Sequence, residues 1–189
     1  MKEKRDIKKL LIVVDMVKGF ITEGNMADPG IAHIVPRLLD AIEEYKDEGL
    51  IFIKDTHPEG AAEFRKFPVH CIENTSESEL IEEFKPYEKD ALVYEKNSTS
   101  AMFAPGFLED LSEMTSLEEV VVTGCCTDIC VINLAIPLTN WFDQQNRTVQ
   151  IRCPKNLMET YDAPVHNRDE YNAMTVTLME QVGVTTEEY

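Results

Sequence analysis

The feature that most constrains the fold of this chain is a series of short apolar runs separated by longer stretches with helical periodicity. The runs are rich in Val and Ile and almost continuously apolar, as is typical of strands buried on both faces of a parallel sheet. They are LLIVVDM (10–16), LIFIKD (50–55), ALVYEK (91–96), EVVVTGC (119–125) and TVQIRC (148–153). We therefore interpret each run as a strand of one parallel sheet.

Helices are predicted between these strands. The segment 36–49 has helical periodicity, opens with Pro and closes with Gly, a pattern that favours a helix. Further helices are predicted near 77–85, 106–114, 128–144 and 168–182. Repeated strand–helix units imply helices on both faces of the sheet and right-handed crossovers. We predict an α/β fold, an open three-layer α-β-α parallel sheet of Rossmann-like type, in a single domain over residues 1–189, a length sufficient to bury a core.

Composition excludes several classes of function. The formal net charge of −17 argues against nucleic-acid binding, which needs clustered Lys and Arg. No apolar run approaches the ~20 residues of a membrane span. The basic start MKEKRDIKK precedes only a short apolar run that contains Asp15, so we expect no signal peptide and a cytoplasmic location. Five cysteines, an odd number, favour reduced thiols over a disulfide scaffold.

Polar and reactive residues stand at the ends of four predicted strands. Asp15 ends the first run, Asp55 and His57 the second, and Lys96 the third, while Cys130 lies one turn into the helix after the fourth. Ligands of open α/β sheets bind beyond the carboxyl ends of the strands. We therefore expect the chemistry at this edge.

Cys130 is the candidate nucleophile. It lies at the start of a predicted helix, with Thr127 or Asp128 as the expected cap. The amides and dipole of a helix N-terminus lower the pKa of a thiol and can hold an oxyanion. The segment alone supports equally well a small buried core residue, the common role of cysteine. For Cys125 and Cys126 we favour side chains in the core.

Asp15 and Lys96 each have two interpretations. Asp15 can serve as a general base that takes the thiol proton and later delivers it to a leaving amine, or as a strand-terminal carboxylate that caps a loop. Lys96 can lie near Cys130 and Asp15 and stabilise the thiolate and the carboxylate, or it can be a solvated residue at the end of a strand. Spacing alone does not decide between these interpretations.

The segment 54–71 offers a metal set. Asp55 and His57 are spaced so that both side chains of an extended segment can reach one ion, with Glu63 and His70 downstream. Mixed nitrogen and oxygen ligands suit Zn²⁺, Mn²⁺ or Fe²⁺, although a structural loop also explains the pattern. His33 and His166 lack such a context and are interpreted as ordinary surface or loop residues.

Three motifs carry a resemblance to a known family. They are VVDMVKGF (13–20), KNSTSA (96–101) and TGCCTDICV (123–131). In this order they resemble the isochorismatase-like cysteine hydrolases, and within them the nicotinamidase/pyrazinamidase branch, over residues 10–155. The pairs Asp55-x-His57 and Pro68-x-His70-Cys71 resemble the metal signature that separates nicotinamidases from metal-free relatives.

The resemblance implies a catalytic triad of Asp15, Lys96 and Cys130. It also implies a cis peptide between Cys125 and Cys126 and an oxyanion hole made by the backbone amides of Cys126 and Cys130. By the same resemblance Asp55, His57 and His70 bind a divalent metal, with zinc preferred over manganese or iron. Glu63 resembles a further ligand that is bridged by water in some members.

The implied reaction is hydrolysis of nicotinamide to nicotinate and ammonia through a thioester on Cys130, which is a step of NAD salvage. The resemblance also implies that the protein assembles as a homo-oligomer. Phe20 and Thr99 are expected in the substrate pocket. At position 99 the family usually has an aromatic residue, often Tyr, and at Thr56 it usually has Trp. Two alternatives remain open: an amidase for another small amide, and a non-catalytic binding member of the fold.

Overall fold

The chain forms a parallel sheet in a computed structural model that describes residues 3–189. Met1 and Lys2, which open the basic start considered above and belong to the predicted domain, lie outside the described residues. The strands of the described part are β1 (Lys9–Val14), β2 (Leu50–Asp55), β3 (Leu92–Lys96), β4 (Glu119–Cys125), β5 (Gln150–Arg152) and β6 (Met158–Glu159). The order is β3-β2-β1-β4-β5, all pairs are parallel, and β6 pairs with the end of β4.

The helices cover both faces of the sheet. They are α1 (Lys18–Ile21), α2 (Val35–Tyr45), α3 (Lys85–Glu88), α4 (Phe107–Glu113), α5 (Ile132–Gln144) and α6 (Arg168–Glu180). One core packs α4, α5 and α6 against alternate residues of β1, β2, β4 and β5, and a second packs α1 and α2 against the other face. The three-layer α-β-α prediction is confirmed. No helix within residues 3–189 has the length and apolar character that a membrane crossing requires.

All five predicted strands are present, and the two-residue strand β6 was not predicted. The helix predicted near 77–85 is wrong: a single 3₁₀ turn covers Ser76–Ser78, and α3 begins only at Lys85. Between them Leu80 bridges to Val17, and the Ile81 amide donates to the Met16 carbonyl over 3.1 Å. The apolar side chains of this segment are buried because the backbone pairs with the loop after β1, which a helix could not do.

Gly124 fixes the approach of β4 to β1. Its φ of 102° is left-handed, and a Cβ at this position would lie 2.1 Å from the Val14 carbonyl oxygen. We expect Gly124→Ala to lower the free energy of unfolding by more than about 3 kcal/mol, because strain and a backbone clash act together. Gly183→Ala is the control, since φ is 90° there and nothing lies within 4 Å of the added carbon. Urea unfolding of both variants measures the difference, and equal losses would contradict the role of the clash.

Candidate active site

The register of the sheet brings the predicted strand ends together. Asp55 at the end of β2 pairs with Lys96 at the end of β3, and Val14 pairs with Ile53 and Gly124. Asp15 follows directly, with a left-handed φ of 52° and its amide donating to the Ile53 carbonyl over 2.9 Å. Non-glycine residues in this region of φ and ψ concentrate at functional sites because the surrounding structure must hold them there.

Lys96 lies at the centre of a buried charged cluster. Its Nζ is 2.5 Å from Asp55 Oδ1, 2.9 Å from Asp15 Oδ2 and 3.6 Å from Cys130 Sγ. Asp15, Asp55 and Lys96 are all at most 2% exposed. The structure therefore brings together the three residues predicted as a triad and joins them to the predicted metal set through Asp55.

The ionisation of this cluster follows from burial and from the lysine. Burial would lower the pKa of Lys96, but Asp15, Cys130 and Asp55 raise it well above its usual value, so the side chain is an ammonium. Burial raises the pKa of Asp15 to about 6 although Lys96 acts in the opposite direction. For Asp55, Lys96 and hydrogen bonds from His57 and His70 outweigh burial and hold the pKa below its usual range.

Cys130 lies on a tight turn between β4 and α5. The Cys125–Cys126 peptide is cis, as the resemblance implies, and a π-helical turn follows over Thr127–Val131. The predicted cap is wrong: Cys126 occupies the N-cap position without a side-chain hydrogen bond. Thr127 is not a cap, and the Asp128 carboxylate instead accepts bonds from residues beyond β6.

The pKa of Cys130 is not lowered, contrary to the expectation from its helix position. The side chain is 7% exposed, and burial raises the pKa of the thiol well above its usual value, with Lys96 opposing and Asp15 and Asp55 adding to the rise. Burial removes the water that would solvate a thiolate, and this outweighs the nearby cation. The resting group is therefore a thiol that needs a base.

Asp55, His57 and His70 form a cluster that can hold a metal ion. One ligand atom from each lies within 4.8 Å of the others, and both Nε2 atoms face Asp55 Oδ2, at 2.8 and 3.0 Å. His57 Nδ1 donates to Asn97 Oδ1 and His70 Nδ1 donates to the Pro68 carbonyl, each over 2.7 Å. Such outer partners fix the tautomer and leave Nε2 for the metal. The donor set therefore fits a divalent ion.

Glu63 lies near this cluster without joining it. It belongs to the 3₁₀ turn Ala62–Arg65 and lines the same pocket, but the three-residue metal cluster does not include it. The structure thus supports Asp55, His57 and His70 as the direct ligands, and the role of Glu63 stays a prediction.

A small pocket opens beside Cys130 and the metal cluster. Its empty space is about 310 Å³, part of which is open to solvent. Both residues predicted for the substrate line it, and so do Cys126 and Cys130, whose amides were predicted as the oxyanion hole. Apolar side chains supply much of the remaining wall: Met26, Phe67 and Ile129. The pocket is thus apolar on most sides, and Cys130 together with Asp55 and His70 of the metal cluster completes its wall.

Several residues near the site were missed from the sequence. Asn97 orients His57, and its position next to Lys96 was the available signal. Phe64 packs edge-on against His57 with ring centroids 5.3 Å apart, and Phe67 lies 6.3 Å from His70. Both aromatics fall inside the metal segment. They place ring faces around the cluster although Thr56 and Thr99 stand where the family usually has aromatics.

His166 lies in the loop between β6 and α6, as expected, but it is not a surface residue, because its side chain is buried at 5% exposure. Its Nε2 lies 2.8 Å from Asp128 Oδ2. His33 is a surface residue as expected, with its side chain 61% exposed. His166 is buried and His33 is not because Tyr161 and Tyr171 stack on the two faces of the His166 ring. The spacing of these tyrosines matches no common sequence motif.

The fold and the site define a family. A family model described as the isochorismatase domain matches residues 9–141, which is more than half of the chain. The chain belongs to the isochorismatase family.

The chain is similar to several nicotinamidases and pyrazinamidases. Nicotinamidase 1 of Arabidopsis thaliana is 32% identical over 146 residues, which are 68% of this chain and 59% of the plant protein, so the match spans less than two thirds of that relative. The crystal structure of nicotinamidase/pyrazinamidase from Bacillus subtilis superposes with a TM-score of 0.80 at 25% identity, covering 96% of this chain and all of that one (100%). The pyrazinamidase of Pyrococcus horikoshii in complex with zinc has a TM-score of 0.75 at 21% identity, covering 96% and 99%; it supports the fold.

Proposed function

We propose that this protein is a metal-assisted cysteine amidohydrolase that converts nicotinamide and water to nicotinate and ammonia. The observation that carries the proposal is the contact of one buried ammonium, Lys96 Nζ, with Asp15, Asp55 and Cys130. This contact joins the proposed nucleophile and the proposed base to the candidate metal cluster, and Cys130, Asp55 and His70 line one pocket. A binding module needs neither the thiol nor the buried lysine, so the arrangement favours catalysis.

The first half of the reaction uses Asp15 as the base. Asp15 and Cys130 lie close enough to shift each other's pKa, and a pKa near 6 suits a carboxylate that must accept a proton and later return it. The thiolate, held beside Lys96, attacks the carboxamide carbon. The backbone amides of Cys126 and Cys130 stabilise the oxyanion, and Asp15 then protonates the departing ammonia. The product on the enzyme is a thioester.

The second half hydrolyses that thioester. Asp15, again ionised, takes a proton from water, which attacks the acyl carbon, and the Cys130 sulfur leaves with its charge held by Lys96. A divalent ion held by Asp55, His57 and His70 would supply a Lewis acid to which a ring nitrogen of the substrate can bind. Asn97 and the Pro68 carbonyl hold the two imidazoles in the tautomer that this requires.

The substrate is tested by a panel of amides. We expect ammonia release from nicotinamide to exceed release from benzamide by more than about tenfold, since benzamide has the same shape and lacks the ring nitrogen. Thr99 in place of an aromatic residue favours one second candidate, a different small heteroaromatic carboxamide. Equal rates on nicotinamide and benzamide would contradict recognition of the ring nitrogen. Cytoplasmic location stays a prediction from the N-terminal sequence, and assembly as a homo-oligomer stays a prediction from the resemblance.

Metal removal tests the role of the cluster. Dialysis against a chelator is expected to lower ammonia release at least about tenfold, with recovery on adding Zn²⁺, Mn²⁺ or Fe²⁺. His57→Ala is expected to bind less than one equivalent of metal by elemental analysis, whereas Glu63→Gln keeps its metal because Glu63 lies outside the cluster. Metal loss in Glu63→Gln as severe as in His57→Ala would instead make Glu63 a direct ligand.

The acid limb of the pH profile tests Asp15. Burial raises the pKa of Asp15 to about 6 from 3.8, and the base must be ionised to accept the thiol proton. We therefore expect kcat/KM to be level above this pKa and to fall about tenfold per pH unit below it. Bound metal is measured at each pH, because protonation of the histidine ligands would release the metal and also lower the activity. Loss of metal is thereby distinguished from protonation of Asp15. A limb near the ordinary aspartate value, with metal retained, would contradict this assignment.

A further inference from the structure

A polar group with a buried centre lies next to the nucleophile turn and takes no part in the proposed chemistry. We refer to it as the His166 group, formed by Asp128, Thr160, Tyr161, His166 and Tyr171. His166 Nε2 lies 2.8 Å from Asp128 Oδ2, and the Thr160 hydroxyl donates to Asp128 Oδ1 over 2.5 Å. Both carboxylate oxygens are therefore engaged. His166 and Thr160 are 5% and 0% exposed, so water competes little for these bonds.

The His166 ring is held from both sides. It stacks on Tyr161 with ring centroids 3.9 Å apart and an interplanar angle of 9°, and on Tyr171 at 3.7 Å and 30°. Its Nδ1 lies 3.0 Å from the Tyr161 carbonyl oxygen. A ring fixed in this way presents Nε2 in one direction, because neither rotation nor translation is free within the stack.

The group is connected to the nucleophile through Asp128. Asp128 belongs to the π-helical turn Thr127–Val131 and stands two residues before Cys130. Its hydrogen-bond partners, Thr160 and His166, come from another part of the chain, the segment between β6 and α6. The side-chain bonds to Asp128 thus tie the turn that carries the thiol to a separate packed segment.

We propose that His166 is a positioning residue, which fixes the nucleophile turn through Asp128 and so sets the Cys130 thiol against Asp15 and Lys96. The inference rests on the proposed function in taking Cys130 as the nucleophile. A displacement of the thiol by about 1 Å is enough to cost a hundredfold in rate. The group therefore acts on the reaction without contacting the substrate.

The test follows the reactivity of Cys130 itself, which needs no substrate. The rate of Cys130 carbamidomethylation by iodoacetamide is measured by peptide mass spectrometry on the metal-loaded full chain, with fragmentation to separate Cys130 from Cys126. His166→Phe keeps a ring in the stack but removes the donor to Asp128. We expect its Cys130 rate to fall about tenfold or more. His166→Gln, which can still donate, is expected to stay within about threefold of wild type.

His33→Gln, a surface histidine, is the matched control with an unchanged rate. If His166→Phe does not fold, Thr160→Val is used in the same measurement. Valine is nearly isosteric with threonine but lacks the hydroxyl that donates to Asp128. The melting temperature of each variant shows that the protein compared is folded. In an amidase assay the proposal expects kcat to fall by more than KM rises, since neither substituted residue itself lines the pocket.

The outcomes separate this inference from the proposed function. A Cys130 rate within twofold of wild type in folded His166→Phe, or in folded Thr160→Val, would overturn the positioning role, even if nicotinamide is hydrolysed. A fall in that rate in a protein that releases no ammonia from nicotinamide would keep the positioning role and reject the substrate.

Discussion

Cys130→Ala is expected to abolish ammonia release, with kcat at least about 10³-fold below wild type, since no thioester can form without the sulfur. The pocket, the metal cluster and the charged cluster keep their other members in this variant. Because Cys130 is not a metal ligand, we expect the metal content and the melting temperature to stay close to those of wild type. A coupled ammonia assay and elemental analysis on the same sample measure both effects.

Cys153→Ala provides the control for the loss of a buried thiol. Cys153 is fully buried and lies directly after β5, outside the pocket, so its replacement removes sulfur without touching the site. We expect this variant to retain its activity with only a small loss of stability. Residual turnover in Cys130→Ala above a few per cent of wild type would show that another group delivers the nucleophile.

Lys96→Met is expected to lose activity and also to destabilise the protein by about 3–5 kcal/mol, the usual cost of removing one partner from a buried ion cluster. Without the ammonium, the carboxylates of Asp15 and Asp55 face each other in a buried site. Burial raises the pKa of Asp15, and Lys96 is the main influence that lowers it, so in the variant this pKa rises further. The base is then protonated at neutral pH and cannot accept the thiol proton.

The loss of stability in Lys96→Met is expected to depend on pH. In Lys96→Met the folded state holds a proton on Asp15 that the unfolded state has released, so unfolding becomes less favourable as the pH falls. We expect the loss of stability relative to wild type to be larger at pH 8 than at pH 5, by urea unfolding of the metal-free proteins. Lys54→Met is the control because the half-buried Lys54 on β2 pairs with the exposed carboxylates of Glu88 and Glu95, at 3.7 and 3.4 Å, and its loss should cost under about 1 kcal/mol. A loss that is equal at both pH values, or equal in the two variants, would contradict the buried cluster.

The strands were predictable because their environment dictates their composition. A strand covered on both faces has to be apolar almost throughout, and the five runs meet this condition without reference to distant residues. Their polar ends, Asp15, Asp55 and Lys96, were predictable for the same reason: in a parallel sheet the carboxyl ends meet at one edge. The sheet register then joins Asp55 to Lys96 as neighbours.

The wrong predictions concern segments whose structure is determined by tertiary contacts. Leu80, Ile81 and Phe84 have helical spacing, but the backbone of Leu80 and Ile81 pairs with the loop after β1 instead. Asp128 has the sequence context of a helix cap, yet its carboxylate is taken by His166 and Thr160, which lie more than 30 residues away along the chain. No local pattern carries information about such partners.

The pKa of Cys130 was mispredicted for a related reason. Its place at a helix start was evident from the sequence, and that position by itself lowers the pKa of a thiol. The depth of burial and the two carboxylates that raise the pKa depend on packing. The correction changes the account of the site, because a thiol that rests protonated makes a base at Asp15 necessary.

The most direct test of this account is ammonia release from nicotinamide by the zinc-loaded wild-type protein at pH 7.5, a value above the pKa expected for Asp15. The account predicts steady release that ceases on chelation and returns with metal. Absence of release from a protein shown to be folded and to contain one equivalent of metal would contradict the assignment of nicotinamide as substrate.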